Sequence, residues 1–219
     1  MSSSDPDNLG LTSGSSSYSR DRLIALSDGV FAIAITLLAL ELVPHITKEM
    51  TGSDLVNALL ESWPELVAYL LSFLVIGSFW DNHRRYFEFI HRADTRVVRT
   101  NLLVLLWVTM IPASAALLGS HWFEPLVITI YAVNLLLVNV SFWVLWRYVS
   151  SADHVEREKL HIQTDSYIDR YVIAGIIGYA LCIPVAFASP QLSLLLVFLT
   201  ASFARVVARQ VLRLSGSTG

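Results

Sequence analysis

The chain has 219 residues, of which 54% are hydrophobic and 15% are charged, with a formal net charge of −3. A soluble domain carries roughly a quarter of charged residues, so this composition excludes an ordinary soluble enzyme and indicates a membrane protein. A single cysteine, Cys182, excludes an intrachain disulfide. No zinc spacing, Gly-rich phosphate loop or nucleophile elbow occurs in the sequence, so we expect no enzymatic activity, no bound cofactor and no nucleic-acid partner.

The two ends of the chain differ in composition from the rest. Residues 1–19 are rich in Ser, with scattered Pro, Gly and Asp. Such a segment has too little apolar surface to offset the entropy of ordering, which predicts a disordered tail. It lacks the basic start and apolar core of a signal peptide. We therefore predict a membrane domain over residues 20–214, followed by a flexible C-terminus at 215–219.

Six apolar stretches lie between these ends, and each is about long enough to cross roughly 30 Å of hydrocarbon as a helix. They are located near residues 23–43, 63–80, 102–118, 126–146, 171–188 and 192–208. Helices are required because lipid cannot satisfy free backbone groups. The predicted fold class is therefore all-α, a polytopic membrane protein with six transmembrane helices.

Prolines and serines mark several of the predicted span boundaries. Ser62 and Ser189 each precede a first-turn proline pattern and are predicted N-caps, while Pro125 opens the fourth span. Pro112 and Pro184 fall inside spans, where neighbouring helices can tolerate a kink.

The basic residues predict the orientation of these spans. If the loops alternate between two sides, Lys48 is the only Lys or Arg on one side, amid acidic residues, and every other basic residue lies on the opposite side. Cytoplasmic loops carry the excess of Lys and Arg. We therefore predict that both termini are cytoplasmic and that the chain is a multi-pass protein of the inner membrane, in contact with the lipid bilayer.

The first span contains two polar residues, Ser27 and Asp28, at its cytoplasmic end. A carboxylate inside a membrane span is expensive and is a functional candidate. At 100° per residue, Ile33, Leu37 and Leu40 share one narrow stripe, and Asp28 lies about 140° away from Ile33. By periodicity alone, this stripe is compatible with helix packing or with pore lining. Asp28 is likewise compatible with a hydrogen-bond anchor or a proton carrier.

The start of this span resembles the signature of the transmembrane protein 175 family of potassium channels, Arg-x-x-x-Phe-Ser-Asp. Here the motif reads Arg22-Leu-Ile-Ala-Leu26-Ser27-Asp28, with Leu26 in place of Phe. The similarity extends to Phe79-Trp80-x-x-His83-Arg84 at the end of the second span and to Asn101-Leu-Leu at the start of the third.

The resemblance implies a single six-span repeat that forms a prokaryotic homotetramer, with the first helices of four subunits around the pore. The family's pattern then assigns the apolar constriction to Ile33, Leu37 and Leu40, with a hydroxyl layer at Thr36. It also implies that the motif residues join the first helix to the others through an interhelical network. The members of this network are Arg22, Ser27, Asp28, Trp80, His83 and Asn101.

The hypothesis that follows is a leak-type cation channel with a preference for K⁺, in which the apolar constriction gates by dewetting. Thr36, and Glu41 near the external mouth, would favour cations. The arginine at every third residue of a voltage-sensor helix is missing, so weak voltage dependence is expected. Two other classes stay open: a proton-coupled secondary transporter that uses Asp28, and a non-conducting membrane scaffold.

Overall fold

The structure is a computed structural model, and it describes residues 19–40, 42, 51–90, 93–151 and 162–202. Within these ranges the chain folds into helices joined by short turns. The helices are α1 Arg20–Leu40, α2 Ser53–Glu61, α3 Trp63–Phe89, α4 Thr95–Thr109, α5 Ile111–Ser120, α6 Pro125–Ser151, α7 Ile162–Ala188 and α8 Pro190–Ser202. The all-helical prediction is confirmed. The predicted tail, the predicted C-terminus at 215–219 and Glu41 lie outside the described residues.

Five helical segments are long and apolar enough to cross a membrane. They are Arg20–Leu40, Trp63–Phe89, Thr95–Ser120, Pro125–Ser150 and Asp169–Ala188. α8 is also apolar but shorter in its described part, and the predicted sixth span continues past it to residue 208. These helices are consistent with a polytopic protein, because each satisfies its own backbone hydrogen bonds. The number of spans and the side of each terminus stay predictions.

The third predicted span is made of two helices, α4 and α5, that meet at Met110. The Met110 backbone N–H donates to Trp107 O at 3.2 Å, which tightens the last turn of α4. Pro112 then lies in the first turn of α5. The missing N–H of a proline is harmless in a first turn and disruptive in a helix interior. The span therefore breaks just before the proline, where the sequence had suggested a continuous helix with a kink.

Ser62 directly precedes α3, as predicted, but the prediction that its side chain caps this helix is wrong. The short helix α2, which was not predicted, ends just before it, so the Ser62 N–H donates to Ala58 O at 3.2 Å. The Ser62 hydroxyl donates to the same carbonyl at 2.9 Å and makes no cap hydrogen bond to α3. By contrast, Ser189 Oγ accepts from the Leu192 N–H at 3.4 Å, in the manner of an N-cap.

The core lies where α6 packs against α4, α5 and α7, and α1 packs on one side of the bundle against α3, α4 and α5. Aromatic rings fill the space between α3 and α6. Phe142 of α6 contacts Phe79 and Tyr86 of α3, with ring centroids 5.9 and 5.6 Å apart. Tyr86 also contacts Trp146 at 5.2 Å. This aromatic layer packs α3 against α6, and α3 in turn supports one face of α1.

Candidate functional site

One face of α1 is buried against the bundle. Its members repeat every three or four residues, which is the spacing of a single helix face. They are Leu23, Ser27, Phe31, Ala34 and Leu38. The Ser27 hydroxyl donates to Leu23 O at 2.8 Å, so its proton is used within α1 and its oxygen remains free to accept.

A buried polar network joins this face to two other helices. Asn101 Nδ2 of α4 donates to Ser27 Oγ at 3.0 Å. The Asn101 side-chain oxygen lies 2.7 Å from His83 Nε2 of α3. An amide oxygen can only accept, so with this amide orientation His83 Nε2 is the donor. All three residues are at most 1% exposed. The structure thus brings together three of the residues that the resemblance implicated.

His83 is held by aromatic rings as well as by this hydrogen bond. Its ring stacks on Phe87 at a centroid distance of 4.4 Å and tilts against Phe31 of α1 at 5.6 Å. Phe31 and Phe87 were not singled out from the sequence. The available signal was that Phe31 lies one helical turn after Ser27, on the same face. Polar and aromatic contacts therefore anchor α1 at one level of the bundle.

Asp28 has a partner on α3, but it lies at the surface of the protomer. Trp80 Nε1 donates to Asp28 Oδ1 at 2.8 Å. Both residues are exposed on the single chain. If the Ile33 stripe lines a pore, the separation of about 140° predicts that Asp28 points into the surrounding bundle, whereas the structure places it at the edge of the α1–α3 contact. Arg22 is exposed too, and within the described part of the chain its side chain makes no ion pair or hydrogen bond. Its place in the network stays a prediction.

The opposite face of α1 is open. Ile33, Leu37 and Leu40 are 59%, 41% and 68% exposed. Thr36 is exposed beside them, and its hydroxyl donates to Ile33 O at 2.9 Å. The hydroxyl proton is therefore turned back onto the helix, and the lone pairs of the oxygen remain available to a cation or to water.

No group of three or more His, Cys, Asp or Glu residues is placed to hold a metal ion in the ranges that the structure describes. The arrangement around α1 is instead a helix with one anchored face and one open face, and an apolar stripe with a single hydroxyl runs along the open face.

Comparisons with known proteins identify the family. Residues 22–112 match the family model described as "Endosomal/lysosomal potassium channel TMEM175". A potassium channel of Streptomyces collinus is 33% identical over 177 residues, which cover 79% of this chain and 85% of that protein. A potassium channel of Chamaesiphon minutus is 36% identical over 185 residues, covering 83% and 91%.

A solved structure agrees with these relatives. The crystal structure of a lysosomal potassium-selective channel TMEM175 homolog from Chamaesiphon minutus superposes with a TM-score of 0.76 at 32% identity. The match covers 85% of this chain and 96% of that one. The chain belongs to the TMEM175 family, which is a family of ion channels and not of enzymes.

Proposed function

We propose that this protein is a potassium-preferring cation channel whose pore is lined by the open face of α1. The observation that carries the proposal is the contrast between the two faces of that helix. The network of Ser27, His83 and Asn101 ties one face to the bundle, and the stripe of Ile33, Leu37 and Leu40 is left uncovered. One stripe on a single protomer cannot enclose a passage, so a pore requires the same stripe from several subunits.

A homotetramer supplies those copies. Closed cyclic symmetry brings the same surface of each subunit to one axis, and the family resemblance implies four subunits. With α1 of each subunit at the axis, Ile33 and Leu37 form apolar rings. Thr36 adds a ring of hydroxyl oxygens whose protons already point to the helix backbone. Oxygen lone pairs that face the axis replace part of the hydration shell of a cation.

The apolar rings provide the gate. A narrow apolar tube does not hold the water that an ion needs, so it blocks conduction by dewetting until it widens. The described helices carry their arginines near one end of the bundle, at positions such as Arg84, Arg85 and Arg147, and not at every third residue of a span. We therefore propose a leak-type channel without a voltage sensor. The permeant species are monovalent cations, mainly K⁺.

The positive-inside rule supports the placement. The arginine-rich end of the bundle lies in the cytoplasm, together with both termini, and the protein is a multi-pass protein of a prokaryotic cell membrane. With this orientation, the opposite end of the bundle, where α1 ends and α3 begins, is the external end. In the proposed pore, Glu41 contributes negative charge at the external mouth.

The reversal potential of purified protein, reconstituted in planar bilayers under a K⁺/Na⁺ gradient, tests the proposal. We expect a cation current whose reversal potential is shifted from zero toward the equilibrium potential of K⁺. A saturable uptake driven by a proton gradient would favour the transporter. No current from intact oligomers would end the proposal.

Replacement of Ile33 tests the gate directly. Ile33→Ser makes the ring wettable and is expected to raise the K⁺ current on the order of ten-fold, which corresponds to about 1.4 kcal/mol of barrier. The matched control is Ile177→Ser, an isoleucine on α7 with a similar exposure of 53%. An equal response of the two variants, or none, would favour a scaffold in which α1 merely packs.

A further inference from the structure

A small cavity lies at the external end of the bundle, behind α1 and away from its open face. Its walls come from α3, α5 and the end of α1, and its volume is about 20 Å³. A cavity of this size holds one water-sized occupant. The residues that matter are Glu65, Tyr69, Leu38, Leu42, Ala116 and Gly119.

Glu65 carries an unsatisfied oxygen into this region. Its Oε2 atom is buried and, among the described residues, has no hydrogen-bond partner. Ser62 and Glu65 have the spacing of a capping box, in which the glutamate would accept from the Ser62 N–H. That N–H is already bonded to Ala58 O because α2 runs directly up to it. The glutamate is thereby released from capping.

Close packing keeps the Glu65 side chain near the cavity. A Cβ atom on Gly119 of α5 would lie 3.1 Å from Glu65 Cα and 3.2 Å from its Cγ. The absence of a side chain at Gly119 thus lets α5 approach the first turn of α3. Together with the buried walls of Leu38 and Ala115, this approach limits where the carboxylate can turn.

The charges around the cavity favour a cation. The carboxylate lies in the first turn of α3, where the helix dipole supports a negative charge. The C-terminal ends of α1 and α5 both reach the cavity, and the last carbonyls of a helix carry partial negative charge. The carboxylate and the two helix ends therefore make the electrostatic potential at the cavity negative, and a buried charge normally requires a partner.

We infer that Glu65 forms a binding site for one small monovalent cation, separate from the pore and filled from the external side. Glu65 is the one carboxylate among the described residues that line the cavity, so a monovalent cation balances its charge, whereas a divalent ion would leave a positive charge uncompensated. Leu38 of α1 and Leu42, two residues past its end, line the same space, so an ion bound there stabilises the outer end of the pore helix from behind. The inference concerns binding and does not depend on conduction.

Thermal unfolding of the full-length protein in detergent tests the site. N-methylglucamine chloride is replaced stepwise by LiCl, NaCl or KCl at constant pH and ionic strength. A ligand at ten times its dissociation constant raises Tm by roughly 3–6 °C for a chain of this size. We expect a saturable rise of this order for at least one alkali cation. Glu65→Gln keeps the side-chain shape and is expected to abolish the rise. Glu61→Gln, an exposed carboxylate on neighbouring α2, is the control and keeps it.

Two further measurements cover the case in which Glu65→Gln does not fold. Ala116→Val fills the cavity, leaves the carboxylate in place, and is expected to remove the cation-dependent rise in Tm. In the wild-type protein, exchange of N-methylglucamine for the stabilising cation is expected to shift a carboxylate band in the infrared difference spectrum. An equal cation-dependent rise in Tm for the wild type and Glu65→Gln would overturn the site. Loss of this rise in Glu61→Gln would overturn it too. So would a wild-type protein that shows neither the rise in Tm nor the shift of the carboxylate band.

Discussion

The two faces of α1 are built from similar residues and have different surroundings. Phe31 and Leu38 on one face are almost fully buried, while Ile33 and Leu40 on the other are among the most exposed apolar residues of the protomer. Hydropathy does not separate them, because both faces are apolar. The neighbours of the helix separate them. A polar network and an aromatic ring from α3 and α4 cover the anchored face, and no described residue of the protomer covers the stripe to the same extent.

The largest expected effect is the difference in stability between two alanine substitutions, one on each face of α1. Phe31→Ala opens a cavity next to His83, and the loss of a buried aromatic side chain costs about 3–5 kcal/mol of unfolding free energy. Ile33→Ala removes an exposed side chain and is expected to change the stability by no more than about 0.5 kcal/mol. Unfolding of both variants in detergent measures the difference. Equal losses would mean that the two faces are equally packed in the assembled protein.

A smaller effect is expected from the polar half of the anchored face. Asn101→Ala removes the partner of both Ser27 and His83, and leaving such buried groups unpaired costs about 1–3 kcal/mol. Thr100→Ala on the same helix is the control, because the Thr100 hydroxyl donates only to carbonyls of its own helix. We expect a clear drop in Tm for the first variant and little for the second. If the two variants unfold alike, the network does not anchor α1.

The smallest effect is expected at Asp28, at the border between the two faces. Asp28→Asn keeps an oxygen that can accept from Trp80 Nε1, so the stability should change by less than about 1 kcal/mol. The K⁺ current of Asp28→Asn should persist. Trp80→Phe removes the hydrogen-bond donor instead of the carboxylate, and its stability and current are measured for comparison. A variant that folds but loses all transport would show that the carboxyl group itself is needed, as in a proton carrier.

Much of the fold could be predicted because its signals are local. Long apolar stretches indicate helices through the bilayer, and α1, α3, α6 and α7 coincide with such stretches. α2 was missed because nine residues with an apolar and a polar face do not resemble a span. The sequence predicts a kink at Pro112 and not the break at Met110, because it does not specify how the chain before a proline adjusts.

The candidate site was only partly predictable. Resemblance pointed to Ser27, His83 and Asn101, and the structure places them within hydrogen-bond distance across three helices. Glu65 was not predicted as a site residue, and in sequence its spacing from Ser62 is that of a capping pair. Only the arrival of α2 at Ser62, a contact between neighbouring elements, shows that the backbone donor is already taken.

The sequence by itself determined that this chain is a bundle of membrane helices, because hydropathy and backbone hydrogen bonding in lipid leave few alternatives. It also determined which helix carries the polar motif. Only the tertiary structure decided which face of α1 is anchored and which is open, and that one oxygen of Glu65 is buried beside a cavity. Those outcomes depend on side chains that are distant in the sequence and meet only when α3, α4 and α5 pack around α1.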